Sequence, residues 1–168
     1  MISKKVEKAF NQQINEEMYS AYLYLAMSAY FTDLNLDGFA NWMRIQAQEE
    51  MTHAMKFFDH IHDRDGEVTL KPIKGADKTW KTPLDAFEAA LEHEKYISGC
   101  INDLVTLAIK ENDHASNNFL QWFVAEQVEE EATANGIVQQ LKLIGKNAAA
   151  TFHLDLELGK RSFSAEAE

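Results

Sequence analysis

The chain reads as all-α: an up-and-down four-helix bundle with one long crossover and a short fifth helix. Three observations lead there. Apolar residues recur at three- and four-residue steps along four long stretches. Only 7 Gly and 2 Pro interrupt 168 residues. The one irregular connection long enough to change the threading of a bundle lies between the second and third stretches. With 46% hydrophobic residues the chain can bury a sizeable core, and one domain is expected over 1–168.

The first helix is expected over 4–33, where Phe10, Ile14, Ala21, Met27 and Phe31 recur on one face with no Pro or Gly among them. Asp37 is read as the N-cap of a second helix over 37–65, with the stripe Phe39, Met43, Phe57 and Ile61 and a stop at Asp65-Gly66. Only "LNL" separates the two, so they must be antiparallel neighbours. "TPLD" supplies Thr82 as N-cap, Pro83 at the first helical position and Asp85 as a capping-box-like acid. A third helix over 83–112 follows, with the stripe Leu84, Phe87, Leu91, Ile97, Ile101 and Leu104. Asp113 then restarts the chain as a fourth helix over 114–145, and "NAAATFHLDLELG" reads as a short fifth over 147–158. Segment 66–82, with Pro72 and Gly75, has no helical period. Extended, it reaches about 55 Å, whereas the second helix is about 42 Å long, so it can run the length of the bundle and bring the third helix in parallel to the second. The polar end "SFSAEAE" is expected to fray.

Charge narrows the partners. Against 16 basic residues stand 27 acidic ones, a formal charge of -11 that repels phosphate backbones and anionic membrane surfaces and attracts cations. Nucleic acid and membrane are not expected as partners. The single Cys100 lies in a helix interior and has no second cysteine to pair with, which suits a reducing compartment. "MISKKVEKAFNQQINEE" turns polar too soon for a signal peptide, and no apolar run reaches the roughly 20 residues that span a bilayer. A cytoplasmic location is expected.

Each inward stripe is broken by polar residues: Glu17 in the first helix, Glu50 and His53 in the second, Glu94 in the third, Gln127 and Glu130 in the fourth. Singly these would mean little, since a Glu-x-x-His arises often by chance and an inward Glu commonly tilts to solvent. Their spacing changes that. Glu17 precedes Glu50 by 33 residues and His53 by 36, and Glu94 stands in the same relation to Gln127 and Glu130. All six fall within about a turn of their helix centres, so they converge on one layer. Four carboxylates in a dry core must be protonated, paired or metal-bound. No Lys or Arg occupies the stripes near this layer, and two divalent cations would balance it. Oxygen-rich ligands with one imidazole suit iron or manganese. In place of a second Glu-x-x-His the fourth helix has Gln127-x-x-Glu130, so the two metal positions are expected to differ in affinity.

At these residues the chain resembles the bacterial non-haem ferritins. The likeness runs from "INEEMYSAYLYLAMSAYF" through "AQEEMTHAMKFF" and "LEHEKYI" to "FVAEQVEEEA", with the crossover in its expected place. It implies a homo-oligomeric shell of twenty-four subunits that oxidises Fe(II) with O2 or H2O2 at a di-iron ferroxidase centre and stores ferric oxyhydroxide inside. Position by position, it implies that Glu17 and His53 hold the first iron, Glu50 bridges, and Glu94 and Glu130 hold the second. Gln127 matches an outer-shell hydrogen-bond donor, and Tyr24 a nearby one-electron donor. A third iron position towards the cavity would use Glu49, Glu126, Glu129 and Glu130.

Some family features are absent. Where animal ferritins line a three-fold channel with carboxylates, this chain has Asn117 and Leu120. Met51 matches the axial methionine of haem-containing bacterioferritins, but the second Glu-x-x-His is missing, and no haem is expected. One cysteine excludes a rubrerythrin, and the miniature DNA-protecting ferritins place their metals between subunits. The rival readings are a haem-containing bacterioferritin-like shell, a storage shell without redox turnover, and a di-metal carboxylate oxidase acting on an organic substrate.

Overall fold

A computed structural model describes residues 1–76 and 79–163; most of the acidic end segment, 164–168, lies outside the described residues. Five helices follow in order: α1 (Lys4–Asp33), α2 (Asp37–Asp63), α3 (Pro83–Lys110), α4 (His114–Ile144) and α5 (Ala148–Leu158). Together they form the ferritin-like four-helix bundle with a short fifth helix. Four of them start on a side chain that accepts an orphaned backbone N–H: Ser3 from Val6, Thr82 from Asp85, Asp113 from Ser116 and Asn147 from Ala150. Among the described residues, each connection carries one residue with φ between 55° and 58°, namely Asn35, Asp65, Asn112 and Gly145. Asp65 and Asn112 have already left the helical region, so α2 and α3 end at Asp63 and Lys110, two residues short of the ends read from the sequence.

The cap of α2 corrects the sequence reading. Asp37 is the first helical residue, and the N-cap position is Leu36, which makes no side-chain cap bond. The missing acceptor comes from α5, where Asp155 Oδ1 takes the N–H of Phe39 at 2.9 Å. Gly38 makes this approach sterically feasible, because a Cβ there would stand 1.7 Å from the Asp155 carbonyl oxygen.

Aromatic contacts give the threading. Phe10 meets Phe57 at one end of the first hairpin and Phe31 meets Phe39 at the other, both at 5.1 Å between centroids, so α1 and α2 are antiparallel. Phe87, early in α3, packs on both Phe31 and Phe39, which places the start of α3 beside the start of α2. Helix α4 returns in the opposite sense, with Phe123 4.4 Å from Phe57 and Phe119 4.1 Å from His60. The crossover is laid along α1: Asn11 donates to the Glu67 carbonyl, Asn15 donates to those of Lys71 and Pro72, and Trp80 meets Tyr30.

The hydrophobic core is divided in two. One cluster gathers Leu23 to Phe31 of α1, Phe39 to Ala47 of α2, Ala86 to Ala90 of α3 and Ile137 to Leu141 of α4. The other gathers Ile2 to Ile14, Ala54 to Ile61, Ile97 to Ala108, and Leu120 with Phe123. Between them every long helix crosses a zone where its inward residues are polar.

Candidate metal centre

That zone holds the six residues singled out by spacing. Glu17, Glu50, His53, Glu94, Gln127 and Glu130 are each no more than 7% exposed. Their helices carry them inward because each replaces an apolar residue on a 3.6-residue stripe. Ligand atoms of Glu17, Glu50 and His53 come together, Glu130 joins His53, and Glu94, which belongs to neither group, is reached by Gln127.

Within the layer, His53 Nδ1 lies 3.4 Å from Glu50 Oε2, and Gln13 Nε2 donates to Glu17 Oε1 at 2.9 Å. The tyrosine hydroxyl of Tyr24 donates to Glu94 Oε1. Gln127 Nε2 points at Glu94, 3.3 Å from Oε2 and 3.2 Å from the carbonyl oxygen. Gln46 Nε2 donates to Glu130 Oε2 at 2.7 Å. The edges of Trp122 and Phe123 close over His53, with centroids at 5.4 and 5.9 Å.

Two atoms in this layer are left over: Glu17 Oε2 and His53 Nε2 are buried and have no hydrogen-bond partner. Burying a polar atom without a partner costs about 1–3 kcal/mol, so two together in one layer call for a ligand. Ligand atoms of Glu17, Glu50 and His53 lie within 4.8 Å of one another, and so do those of His53, Glu126 and Glu130. This donor set, all carboxylate oxygen and imidazole nitrogen with no thiolate, fits a hard or borderline divalent cation.

Burial dominates the electrostatics. It raises the Glu17 carboxyl well above the usual range, helped by the charge of Glu50. Glu50 is raised by burial and by Glu94 and Glu130, and Glu94 chiefly by burial. Glu130 is pushed up to about 8 by burial and by Glu94. Tyr24 is likewise held neutral by burial and the surrounding carboxylates. Without a cation the layer therefore keeps protons where a metal would sit.

The residues assigned to a third position are more dispersed. Glu126 is half-buried and joins His53 and Glu130, whereas Glu129 is exposed and belongs to neither cluster. Glu49 forms an ion pair with Arg161, just beyond α5. The other end of that guanidinium donates to Gln46 Oε1 at 2.8 Å, and its plane lies over Trp42, 4.7 Å from the ring centroid. Sequence reasoning gave Arg161 no part in the site. No local signal could have done so, since the contact joins residues 112 apart. For Gln46 the available clue is its position one turn before Glu50 on the buried face of α2.

Comparison with known proteins gives the family. Residues 7–144 match the model of the ferritin-like domain. A bacterial non-heme ferritin of Bacteroides fragilis (strain 638R) is 47% identical over 161 residues, covering 96% of this chain and 100% of the relative. The bacterial non-heme ferritin of Campylobacter jejuni is 42% identical over 155 residues, covering 92% of this chain and 93% of its own. Among solved structures, an engineered closed form of the Archaeoglobus fulgidus ferritin superimposes with a TM-score of 0.97 at 52% identity, covering 98% of this chain and 100% of that one. An open-pore ferritin from the same archaeon gives 0.95 at 51% identity, covering 96% and 100%. The chain therefore belongs to the ferritin-like domain family, and its sequence relatives there are bacterial non-heme ferritins.

Proposed function

We propose that this iron-storage ferritin is a ferroxidase: it binds two Fe(II) ions per subunit in the polar layer, oxidises them, and passes the ferric product inward for storage as oxyhydroxide. The observation that carries the reading is the pair of orphaned buried donor atoms, Glu17 Oε2 and His53 Nε2, in a layer with three further buried carboxylates. Glu17 and His53 take the first iron, which the proximity of their ligand atoms to Glu50 supports. Glu50 bridges. Glu94 and Glu130 take the second, a role supported by their burial beside Glu50, whose carboxyl both of them raise.

Iron is substrate here. The carboxylates, once they lose their protons, stabilise Fe(III) over Fe(II) and so favour oxidation. O2 accepts one electron from each Fe(II) and two protons to give H2O2; with H2O2 as oxidant the same two electrons and two protons give two waters. Gln127 holds Glu94 in place from one side and the Tyr24 hydroxyl from the other. A third position towards the cavity draws on Glu49, Glu126, Glu129 and Glu130.

The active form is a homo-oligomeric shell of twenty-four subunits in the cytoplasm. Unpartnered apolar surface supports assembly: Tyr22, Leu25, Ala26 and Ala76 line a shallow depression on α1 and the crossover, and Phe152 and Leu156 stand out from α5. Among the described residues no helix is long and apolar enough to cross a membrane. The test is anaerobic Fe(II) titration followed by oxygen. Two tightly bound ions per subunit, oxidised in a fast first phase with a transient diferric absorbance, are expected; oxidation at the rate of free Fe(II) would overturn the ferroxidase reading.

A further inference from the structure

We infer that Arg161 is a tethered counter-cation of the metal centre, which occupies Glu49 until an incoming metal ion displaces it. The inference rests on the reading of Glu49 as a ligand of the third position. Helix α5 ends at Leu158, and its connection to the bundle brings Arg161 back over α2. Asn41 Nδ2 donates to the Arg161 carbonyl at 3.0 Å and fixes the backbone there. From that anchor the guanidinium makes three contacts at once, with Glu49, with Gln46 and with the face of Trp42. The Arg161 side chain is 25% exposed and that of Glu49 15%, so the pair sits at the margin of the buried layer, where solvent can still reach it.

The contacts form a chain into the centre. Gln46 offers its carbonyl oxygen to Arg161 and its amide nitrogen to Glu130 Oε2. A guanidinium can only donate, so Arg161 selects the one amide orientation in which Gln46 donates to Glu130. Arg161 is thus a positioning residue: it neutralises Glu49 and, through Gln46, orients an oxygen of Glu130. A metal ion arriving at Glu49 competes with one charge-assisted hydrogen bond from the guanidinium, whose other amine is held by Gln46. When it wins, Arg161 leaves Trp42 and releases Gln46, so filling the third position loosens the hold on Glu130. Docking of the chain beyond α5 thereby weakens third-position binding relative to the two deeper positions and reports it at Trp42.

The experiment uses the assembled full-length protein stripped of metal and titrated with Zn(II), which has no redox step. Calorimetry counts the equivalents, and tryptophan emission is followed in parallel. Wild type, Arg161→Gln and Arg161→Lys are compared, each first checked for its thermal transition and assembly. The expected result is a third equivalent per subunit that binds about tenfold more tightly in Arg161→Gln, the size of one charge-assisted hydrogen bond. Arg161→Lys, which keeps the charge and loses the fork, falls between. Emission changes at the third equivalent in wild type and is silent there in Arg161→Gln. Equal third-equivalent affinity in all three proteins, with no emission change, overturns the role of Arg161 alone. Absence of any third equivalent in all three overturns the third position and this inference with it.

Discussion

His53 Nδ1 lies 3.4 Å from Glu50 Oε2, one helical turn apart on α2 and both 2% exposed, while the other ring nitrogen of His53 has no partner. One ring nitrogen therefore faces the carboxylate proposed to bridge the two metals, and both residues offer ligand atoms within 4.8 Å of one from Glu17. Substituting His53 or Glu50 by Ala is expected to slow oxygen consumption per Fe(II) at least about tenfold, since even loss of an outer-shell partner commonly has that effect. Assembly, measured by size-exclusion chromatography, should be retained.

The metal-free layer is a cost to folding, and one substitution should relieve it. Glu17→Gln keeps the acceptor for Gln13 and replaces the unpartnered Oε2 with a donor facing Glu50. The variant is expected to be more stable than wild type by about 1 kcal/mol in chelator, because a half-satisfied buried acid is removed. With metal present the order should invert. Denaturant unfolding with and without Zn(II) checks both halves, and a destabilised metal-free variant would contradict the electrostatic description.

The raised carboxyls set a pH dependence. Glu130 titrates near 8 in the folded protein against an ordinary value of 4.5, and Glu17, Glu50 and Glu94 are raised in the same direction. Between those two values the native state holds more protons than the unfolded chain, so these groups contribute stability below 4.5 that is lost as pH rises towards 8. The metal-free Tm is therefore expected to fall across this window, and Glu130→Gln to flatten the slope. Metal must displace the same protons, so Zn(II) affinity should rise with pH and loading should release protons, measurable by calorimetry in buffers of different ionisation enthalpy.

Helix α5 is held by a cap it donates. Asp155→Ala removes the acceptor for Phe39 N–H and should cost about 0.5–2 kcal/mol, the usual range for a lost N-cap. Gly38→Ala should cost more, because the added Cβ collides with the Asp155 backbone. Limited proteolysis near α5 is expected to accelerate in both variants, with Asp155→Asn close to wild type.

Much of this was legible along the chain because helix physics is local. Thr82 caps the helix it precedes, since the acceptor and the orphaned N–H are three residues apart, and Asp113 does the same where the chain restarts, whereas Asn147, read as the first residue of the fifth helix, is its cap. The inward stripes that placed Glu17, Glu50, His53, Glu94, Gln127 and Glu130 in one layer follow from a fixed helical period. Asp37 failed as a cap for the opposite reason. The α2 terminus is satisfied by Asp155 from 116 residues away, and no spacing rule connects them. The same holds for Arg161 at Glu49: the stripes carried no cation, and the one that arrives comes from a turn after α5.

Anomalous diffraction at the iron absorption edge, from crystals soaked anaerobically in Fe(II), tests the central claim most directly. The account predicts two strong peaks per subunit inside the bundle, one bounded by Glu17, Glu50 and His53 and the other by Glu50, Glu94 and Glu130. Iron confined to surface carboxylates, with the buried layer empty and its side chains unmoved, would contradict it.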